Sequence, residues 1–172
     1  MRITCRGKNI KQYWEDRWAD IPADTPINNL NVHPVKFSEM TVKSNGGKIF
    51  EAGCGAGRLL LFYKNKGYKI YGMDFIKTAL DKLKTADNEL LLNVGDIKHL
   101  GYANGSFKYV LAFGLYHNLE TGLNQAARET YRVLEVGRKV CASFRVDNIQ
   151  TKIGDCLSEK GEARALNDSI LI

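Results

Sequence analysis

The segment KIFEAGCGAGRLL, from Lys48 to Leu60, places three glycines at alternate positions directly after a short apolar run. The apolar run predicts a buried strand, and the leucines after the glycines predict a helix. Glycines at this junction allow a sharp turn, and the free N–H groups of the following helix point at whatever binds there. The segment therefore predicts a ligand-binding turn between a strand and a helix.

Strands and helices are predicted to alternate along the rest of the chain. Further apolar runs predict strands over residues 68–74, 89–96, 106–114 and 138–146, and helical periodicity occupies residues 58–67, 76–83 and 119–134. Continuously apolar strands separated by helices predict a parallel sheet covered on both faces. The predicted fold class is therefore α/β, a doubly wound and mostly parallel sheet of about five strands. Ligands of such folds bind at the carboxyl ends of the strands.

Two of the predicted helices have an apolar side that we expect to be buried. In the helix after residue 74, this side is formed by Ile76, Ala79, Leu80 and Leu83, which recur at i, i+3, i+4 and i+7. In the helix over residues 119–134, the expected buried side consists of Leu123, Ala126, Ala127 and Tyr131.

The chain is expected to form a single domain over residues 1–172. Residues 1–45 would be an N-terminal helical cap and loop, residues 46–146 a ligand-binding core, and residues 147–172 a short tail. In the cap, KNIKQYWEDRWAD can form an amphipathic helix that carries Trp14 and Trp18 on one side. These tryptophans would either pack against the sheet or form a lid over the site.

The composition argues against several classes of partner. The net charge is +6, but the lysines and arginines are scattered along the sequence, which favours a solvated surface over a nucleic-acid site. No apolar run approaches the roughly 18 residues that span a bilayer. The N-terminus lacks the apolar region of a signal peptide, so we expect a cytoplasmic protein without a membrane partner. The four cysteines form no C-x-x-C pair, and no metal site is expected.

Glu51, two residues before the first glycine of the turn, discriminates between ligands. A dinucleotide would place its pyrophosphate against the turn, where a carboxylate is unfavourable in a low-dielectric cleft. The dinucleotide pattern G-x-G-x-x-G also requires glycine at position 58, where this chain has Arg58. Glu51 favours a ligand with a positive charge near the turn, and S-adenosylmethionine carries a cationic amino group, a sulfonium and no phosphate.

Four segments carry a resemblance to a known family. The segments IFEAGCGAGR, IYGMDF, NVGDI and FKYVLAFGLYHNL resemble, in order and spacing, the signature segments of class I S-adenosylmethionine-dependent methyltransferases of the small methyltransferase-domain type. The resemblance spans roughly Lys48 to Val146, and YWEDRW is similar to a helix often seen before that core. It implies a Rossmann-like methyltransferase fold, S-adenosyl-L-methionine as cofactor, and an enzyme that methylates an unidentified small-molecule acceptor.

The resemblance also implies cofactor-binding roles for individual residues. The methionine portion and the ribose would contact Gly53, Cys54, Gly55 and Gly57. Glu51 would hold the amino group, directly or through water, and Asp74 would accept both ribose hydroxyls in a charge-assisted contact. The adenine would contact Met73, Phe75, Asp96 and Ile97. Asp96 would accept from the exocyclic amine, although it could instead cap a helix over the IKHL that follows. Phe113 leaves the fourth strand where the transferred methyl group should point.

Tyr116 and His117 follow that strand and are the candidate catalytic residues. His117 could act as a general base, because histidine titrates near neutral pH, or it could be structural. Tyr116 stands where the family often has an acidic residue. Methyl transfer from a sulfonium has a good leaving group, so alignment and desolvation can accelerate it without a dedicated base.

The chain departs from the family pattern after the predicted helix over residues 119–134. The family's lysine–proline–glycine–glycine turn is replaced by LEVGR, in which only Gly137 is retained. Only 26 residues follow Val146, too few in our interpretation for both strands of the antiparallel hairpin that completes the family's sheet. We therefore expect a C-terminally truncated sheet in which the last two family strands are missing or replaced. An uncovered edge strand would favour self-association, as in a homodimer.

Two other functions stay open at the level of sequence. A methyltransferase-like protein that binds S-adenosylmethionine without turnover is motivated by the expected loss of the hairpin. An NAD-dependent oxidoreductase is disfavoured by Glu51 and Arg58.

Overall fold

A computed structural model describes residues 11–21, 33–43, 46–145, 164–166 and 169–171. The strands are β1 (Ile49–Ala52), β2 (Ile70–Asp74), β3 (Leu91–Val94), β4 (Phe107–Ala112), β5 (Leu134–Arg145), β6 (Arg164–Leu166) and β7 (Ser169–Leu171). The helices are α1 (Lys11–Ala19), α2 (His33–Thr41), α3 (Arg58–Asn65), α4 (Lys77–Ala86) and α5 (Leu123–Val133), with a 3-10 turn η1 (Tyr116–Asn118). None of the described helices has the length and apolar character needed to cross a membrane.

The strands form one sheet in the order β3-β2-β1-β4-β5-β7-β6. The first five strands in this order are parallel, and the order reverses between β1 and β4. Residues of α2, α3 and α4 pack on one face of the sheet, and residues of α5 pack on the other. The predicted doubly wound α/β fold with five parallel strands is therefore confirmed.

The N-terminal cap contains one helix that was predicted and one that was not. The helix α1 carries Trp14 and Trp18, as expected. The helix α2 begins at His33, within the loop that we expected in residues 1–45, and residues 22–32 before it lie outside the described residues. Ser38 of α2 is fully buried because it donates to Val35 and accepts from the Tyr63 hydroxyl, both at 2.8 Å. Tertiary contacts with α3 therefore stabilise α2 where its own sequence gives a weak signal.

The buried side of α4 is as predicted, whereas of the four residues expected on the buried side of α5 only Ala126 is buried. Ala126 and Val133 of α5 are fully buried, whereas Tyr131 is 80% exposed. Leu123 and Ala127, also expected in the core, are exposed. The helix α5 instead buries the small Ala126 together with Thr130, whose hydroxyl is satisfied by hydrogen bonds to the Ala126 carbonyl and the Tyr116 phenol. A polar residue can be buried at this position because its hydroxyl has hydrogen-bond partners both within α5 and in η1.

The turn expected after α5 is incorporated into a strand. The strand β5 begins at Leu134 directly after α5, and Gly137 within it has a φ of 73°. Between the pairs Phe107–Leu134 and Tyr109–Lys139, the register of β5 against β4 shifts, so that β5 bulges at this glycine.

The expectation that the last two family strands are missing or replaced is corrected by the structure. The strands β6 and β7 have three residues each and form an antiparallel pair, and β7 pairs antiparallel with β5. The hairpin fits into the short tail because its strands are brief. The strand β5 is therefore not an edge strand, and the edges of the described sheet are β3 and β6. Self-association through a sheet edge stays a prediction.

Candidate functional site

A cavity of about 320 Å³ opens where the parallel strands end. Its walls come from the segments that follow β1, β2, β3 and β4, from the segment between η1 and α5, and from α1. The lining residues are Trp14, Trp18, Gly53, Met73, Asp74, Phe75, Gly95, Asp96, Ile97, Lys98, Gly114, Leu115, Asn118, Leu119, Glu120 and Thr121. The cavity lies at the carboxyl ends of the strands, as predicted from the order of elements.

The three glycines of the turn all have left-handed backbone conformations that only glycine adopts readily. Their φ angles are 70° at Gly53, 49° at Gly55 and 76° at Gly57. A Cβ at Gly55 would lie 2.5 Å from the Trp18 ring, and one at Gly57 would lie 2.6 Å from Leu83. Only Gly53 of the three lines the cavity, because the other two are covered by these neighbours.

Asp74, at the end of β2, connects the glycine turn to the start of α4. Its Oδ2 accepts from the Gly55 N–H at 2.8 Å, and its Oδ1 accepts from the Ile76 N–H at 3.0 Å. Burial raises the pKa of Asp74, and these N–H groups oppose that rise. Each carboxylate oxygen has a second lone pair, so Asp74 can accept two further hydrogen bonds from a ligand in the cavity.

Glu51 is buried in β1 directly before the turn and is only 7% exposed. Its Oε2 has no hydrogen-bond partner among the described residues. Burial, with a smaller contribution from the charge of Asp74, raises the pKa of Glu51 to about 8, although the Leu60 backbone N–H and Arg58 oppose the rise. Glu51 does not line the cavity itself. The structure thus places a carboxyl group with an unsatisfied oxygen, held largely in its protonated form at neutral pH, behind the glycine turn.

Met73, Phe75 and Ile97 form the apolar end of the cavity. Met73 and Ile97 are buried, whereas Phe75 is 42% exposed. Asp96 lies beside them, and its Oδ1 accepts from the Lys98 N–H at 2.9 Å. No helix follows Asp96, so it caps a turn rather than the helix considered as an alternative. A flat apolar ring with a polar edge would fit this end of the cavity.

Both tryptophans of α1 line the cavity, and none of the α1 residues is buried in the core. The Trp14 and Trp18 rings stack with their centroids 5.8 Å apart. Lys82 of α4 fixes the C-terminal end of this helix by donating to the carbonyl oxygens of Trp18, Ala19 and Ile21 at 3.0, 2.6 and 3.0 Å. Of the two alternatives for the tryptophans, this geometry supports the lid.

The residues predicted after β4 do not all reach the cavity. Gly114 and Leu115 line it, but Phe113 packs on the core cluster under α3 and α4. The Tyr116 ring is buried and stacks on Phe144, and its hydroxyl lies 2.6 Å from the Thr130 hydroxyl. His117, in η1, is absent from the described lining. The catalytic role considered for Tyr116 therefore has no geometric support, because its hydroxyl is turned into the core.

Cys54 also lies outside the cavity, although it belongs to the glycine turn. It is buried against Gly72 and Leu60, and burial raises the pKa of its thiol. A thiol in this environment stays protonated and packs as a small apolar group. No group of three or more His, Cys, Asp or Glu residues in the described part of the chain could hold a metal ion.

Several lining residues were missed by the sequence prediction. They are Lys98 in the loop after β3, Asn118 at the end of η1, and Leu119, Glu120 and Thr121 in the loop after η1. The only sequence signal for them is their position after predicted strands, since loops at the carboxyl ends of parallel strands form such sites.

Comparison with known proteins gives one family match. The family model described as "Methyltransferase domain" matches residues 50–142, more than half of the chain. No curated protein matches the sequence significantly.

Several solved structures share the fold. A putative S-adenosyl-L-methionine-dependent methyltransferase from Methanococcus maripaludis superposes with a TM-score of 0.70 at 14% identity, covering 99% of this chain and 95% of that protein. A protein from Pyrococcus horikoshii OT3 gives a TM-score of 0.65 at 20% identity, covering 88% of this chain and 74% of that one. The putative methyltransferase solved in complex with a Haloferax volcanii methyltransferase activator gives 0.62 at 17% identity, and the alignment covers 76% of this chain but only 59% of that one. At these identities the likeness is one of fold.

Proposed function

Because the chain belongs to the methyltransferase domain family, we propose that it transfers the methyl group of S-adenosyl-L-methionine to a small-molecule acceptor. The cofactor is S-adenosyl-L-methionine. The observation that carries the proposal is the buried carboxyl group of Glu51, which has an unpartnered oxygen behind a glycine turn and lies in the field of a second carboxylate, Asp74.

The glycine turn and Glu51 fit the methionine portion of the cofactor. An approaching ammonium group would stabilise the ionised form of Glu51 and thereby satisfy its unpartnered Oε2, directly or through one water. Gly53 exposes its backbone at the cavity wall because it has no Cβ. A Cβ at this position would lie 3.1 Å from Leu115. A pyrophosphate would instead keep Glu51 protonated and leave its Oε2 without a cationic partner, which argues against a dinucleotide, whereas Asp74 fits either ligand.

Asp74 and the apolar end of the cavity fit the adenosine portion. The free lone pairs of Asp74 would accept the two ribose hydroxyls. Phe75 and Ile97 would then contact the adenine faces, and the Asp96 carboxylate at the rim would accept from the exocyclic amine. These roles agree with the lining of the cavity and stay part of the proposal.

The residues around the cavity would act by orientation and exclusion of water. When bound, S-adenosylmethionine supplies an electrophilic methyl group on a sulfonium. Trp18 covers the glycine turn at Gly55, Trp14 lines the cavity beside it, and Lys82 fixes their helix. A water-poor, aligned site accelerates displacement from a sulfonium, because the attacking atom loses its hydration shell. The acceptor would enter between α1 and the loop after η1, where Asn118 and Glu120 provide polar groups.

Calorimetry with S-adenosylhomocysteine tests the cofactor part of the proposal. The full chain should bind one equivalent, and Asp74→Asn should weaken binding at least tenfold. The matched control is Asp81→Asn, which removes an exposed carboxylate of α4. Absence of heat and of a thermal shift at millimolar ligand, or tight binding of NADH instead, would overturn it.

Release of S-adenosylhomocysteine in the presence of a panel of small amines, phenols, thiols and carboxylic acids tests turnover. The alternative of binding without turnover was motivated by the absence of the hairpin, and the presence of β6 and β7 removes that reason. Acceptor-dependent product release supports the enzyme, and ligand binding without release over the whole panel supports the alternative.

A further inference from the structure

Lysines and arginines that are scattered in the sequence come together at the end of the sheet opposite the cavity. Two shallow surface depressions lie there, where the strands begin. Their cationic lining residues, which we call the basic ridge, are Lys43, Lys48, Lys66, Lys69, Lys108, Arg138 and Lys139. No aspartate or glutamate of the described chain lines either depression.

The parallel register arranges the centre of the basic ridge as a row. Ile49 of β1 pairs with Ile70 of β2 and with Tyr109 of β4, so the lysines that precede them, Lys69, Lys48 and Lys108, lie side by side. Tyr109 in turn pairs with Lys139 of β5. Adjacent strands lie about 4.8 Å apart, so four strands give a row about 14 Å long.

The positive charge of the basic ridge is only partly compensated. Lys66 pairs with Glu39 and Arg138 with Glu135. With Lys108 left out of the count, six cations and these two carboxylates leave a formal surplus of four positive charges, against +6 for the whole chain. The row ends towards β3, where Lys64 is neutralised by Asp87 and Glu89.

The surface between these cations is open and formed by glycine turns. Gly46, Gly67 and Gly137 have positive φ angles, and a Cβ added to any of them would meet nothing within 4 Å. A ligand backbone can therefore approach closely along the ridge. The shallow and extended shape does not suit a small anion, which requires an enclosing site.

We propose that the basic ridge binds the phosphate backbone of double-stranded nucleic acid. A row about 14 Å long is sufficient to reach phosphates on both sides of a minor groove, which is about 6 Å wide. Contacts of lysine with phosphate are independent of sequence and need no pocket.

Two other anionic partners fit the ridge less well. Single strands are bound through exposed aromatic rings, but Tyr109 is buried and Tyr68 is half-buried. Anionic membranes are bound by lysines together with an apolar face, and near the ridge only Met40 and Val136 are exposed large apolar residues among those described. Two separate side chains do not form such a face.

Binding at the ridge would tether the protein rather than deliver the acceptor. The ridge lies at the amino ends of the strands, and the cavity lies at their carboxyl ends. A duplex on the ridge would leave the cavity open. The inference is therefore independent of the proposed methyl transfer.

Fluorescence anisotropy with a labelled 20-base-pair RNA duplex and the matching DNA duplex tests the proposal on the full chain. The test variant replaces Lys48, Lys69 and Lys139 by glutamine. These residues are exposed and form no ion pair within the described chain. The matched control replaces Lys11, Lys77 and Arg128 by glutamine, which removes the same charge outside the ridge. Binding of S-adenosylhomocysteine and the melting temperature report whether each variant is folded.

The wild-type protein should bind a duplex with an affinity that falls steeply with salt. The slope of log K against log[salt] should decrease in magnitude by about 2 to 3 in the test variant, because each neutralised phosphate contributes about 0.9. At low salt the test variant should lose at least tenfold in affinity and the control less than twofold. Absence of duplex binding, equal losses in both variants, or binding only to anionic phosphatidylserine vesicles would overturn the proposal.

Discussion

The indole ring of Trp18 lies directly on the backbone of Gly55, so that a Cβ on this glycine would come within 2.5 Å of the ring. The lid helix and the glycine turn therefore share a contact that depends on the smallest residue. Because the Gly55 N–H also donates to Asp74, the contact connects the lid with the carboxylate expected to hold the ribose.

Replacement of Gly55 by alanine should impair both stability and cofactor binding. The left-handed conformation costs an alanine about 1 to 2 kcal/mol, and the methyl group would displace Trp18. Gly67→Ala is the matched control, because Gly67 has a φ of 80° with open space around it. The control should lose a similar amount of stability through the backbone alone and keep its affinity for S-adenosylhomocysteine. Thermal melting and calorimetry measure both effects, and equal affinities in the two variants would contradict the lid.

Replacement of Lys82 by methionine should release the C-terminal end of α1 without unfolding the core. Methionine keeps much of the chain length but removes the three donors to the carbonyl oxygens of Trp18, Ala19 and Ile21. We expect the dissociation constant of S-adenosylhomocysteine to rise about tenfold, since hydrogen bonds to a charged group contribute about 1.5 to 3 kcal/mol. Lys77→Met on the same helix, which removes only an exposed pair with Asp81, should leave the constant unchanged. If both variants bind equally well, the lysine does not position the lid.

Replacement of Glu51 by glutamine should change how stability depends on pH. Burial raises the pKa of Glu51 from 4.5 to about 8, so the folded protein keeps a proton that the unfolded chain releases. The stabilisation by this group is complete below pH 4.5 and is lost as the pH rises towards 8. Glutamine cannot ionise, so the variant should become more stable than the wild type by up to a few kcal/mol at pH 8. Chemical denaturation at pH 5, 6.5 and 8 measures this, with Glu89→Gln, an exposed glutamate, as the control.

The same residue should make cofactor binding release a proton. At pH 7 the ligand-free protein holds Glu51 largely protonated, and a bound ammonium group would ionise it. Calorimetry with S-adenosylhomocysteine in two buffers of different ionisation enthalpy counts the protons released. The wild-type protein should release close to one and Glu51→Gln none. An identical proton count in both would show that Glu51 does not meet the cation.

Replacement of Tyr116 by phenylalanine should affect stability but not methyl transfer. Thr130 donates to the Ala126 carbonyl, so the Tyr116 hydroxyl donates to the Thr130 oxygen in the core. Its loss should cost about 1 kcal/mol. Combination with Thr130→Val in a double-mutant cycle should reveal a positive coupling energy. A large drop in turnover at unchanged stability would instead restore Tyr116 as a catalytic candidate.

The parts of the site that the sequence predicted are those fixed by the ends of strands. Gly53, Asp74 and Asp96 each lie at or just after the end of a strand whose apolar run is evident, and parallel pairing brings these ends together. The buried side of α5 could not be predicted in this way. Its larger apolar residues, Leu123 and Tyr131, are exposed, because the rotation of the helix depends on the tertiary hydrogen bond between Thr130 and Tyr116 rather than on the number of apolar residues.

The basic ridge could not be predicted for a related reason. Its lysines lie far apart in the sequence, as Lys48, Lys69 and Lys108 do, and no block of charge marks them. They become neighbours only through the register of β2, β1 and β4, which is a property of the sheet.

The short strands β6 and β7 were not predicted because three residues are too few for a periodic pattern.

The position of Trp14 and Trp18 on one helix has a practical consequence, because they are the only tryptophans of the chain. All indole emission of this protein therefore originates at the wall of the cavity. Excitation near the red edge of tyrosine absorption excites only these two indoles, so the lid can be followed without an attached dye. The wavelength and quenching of that light, followed in a stopped-flow instrument, would time the closing of α1 over an entering cofactor.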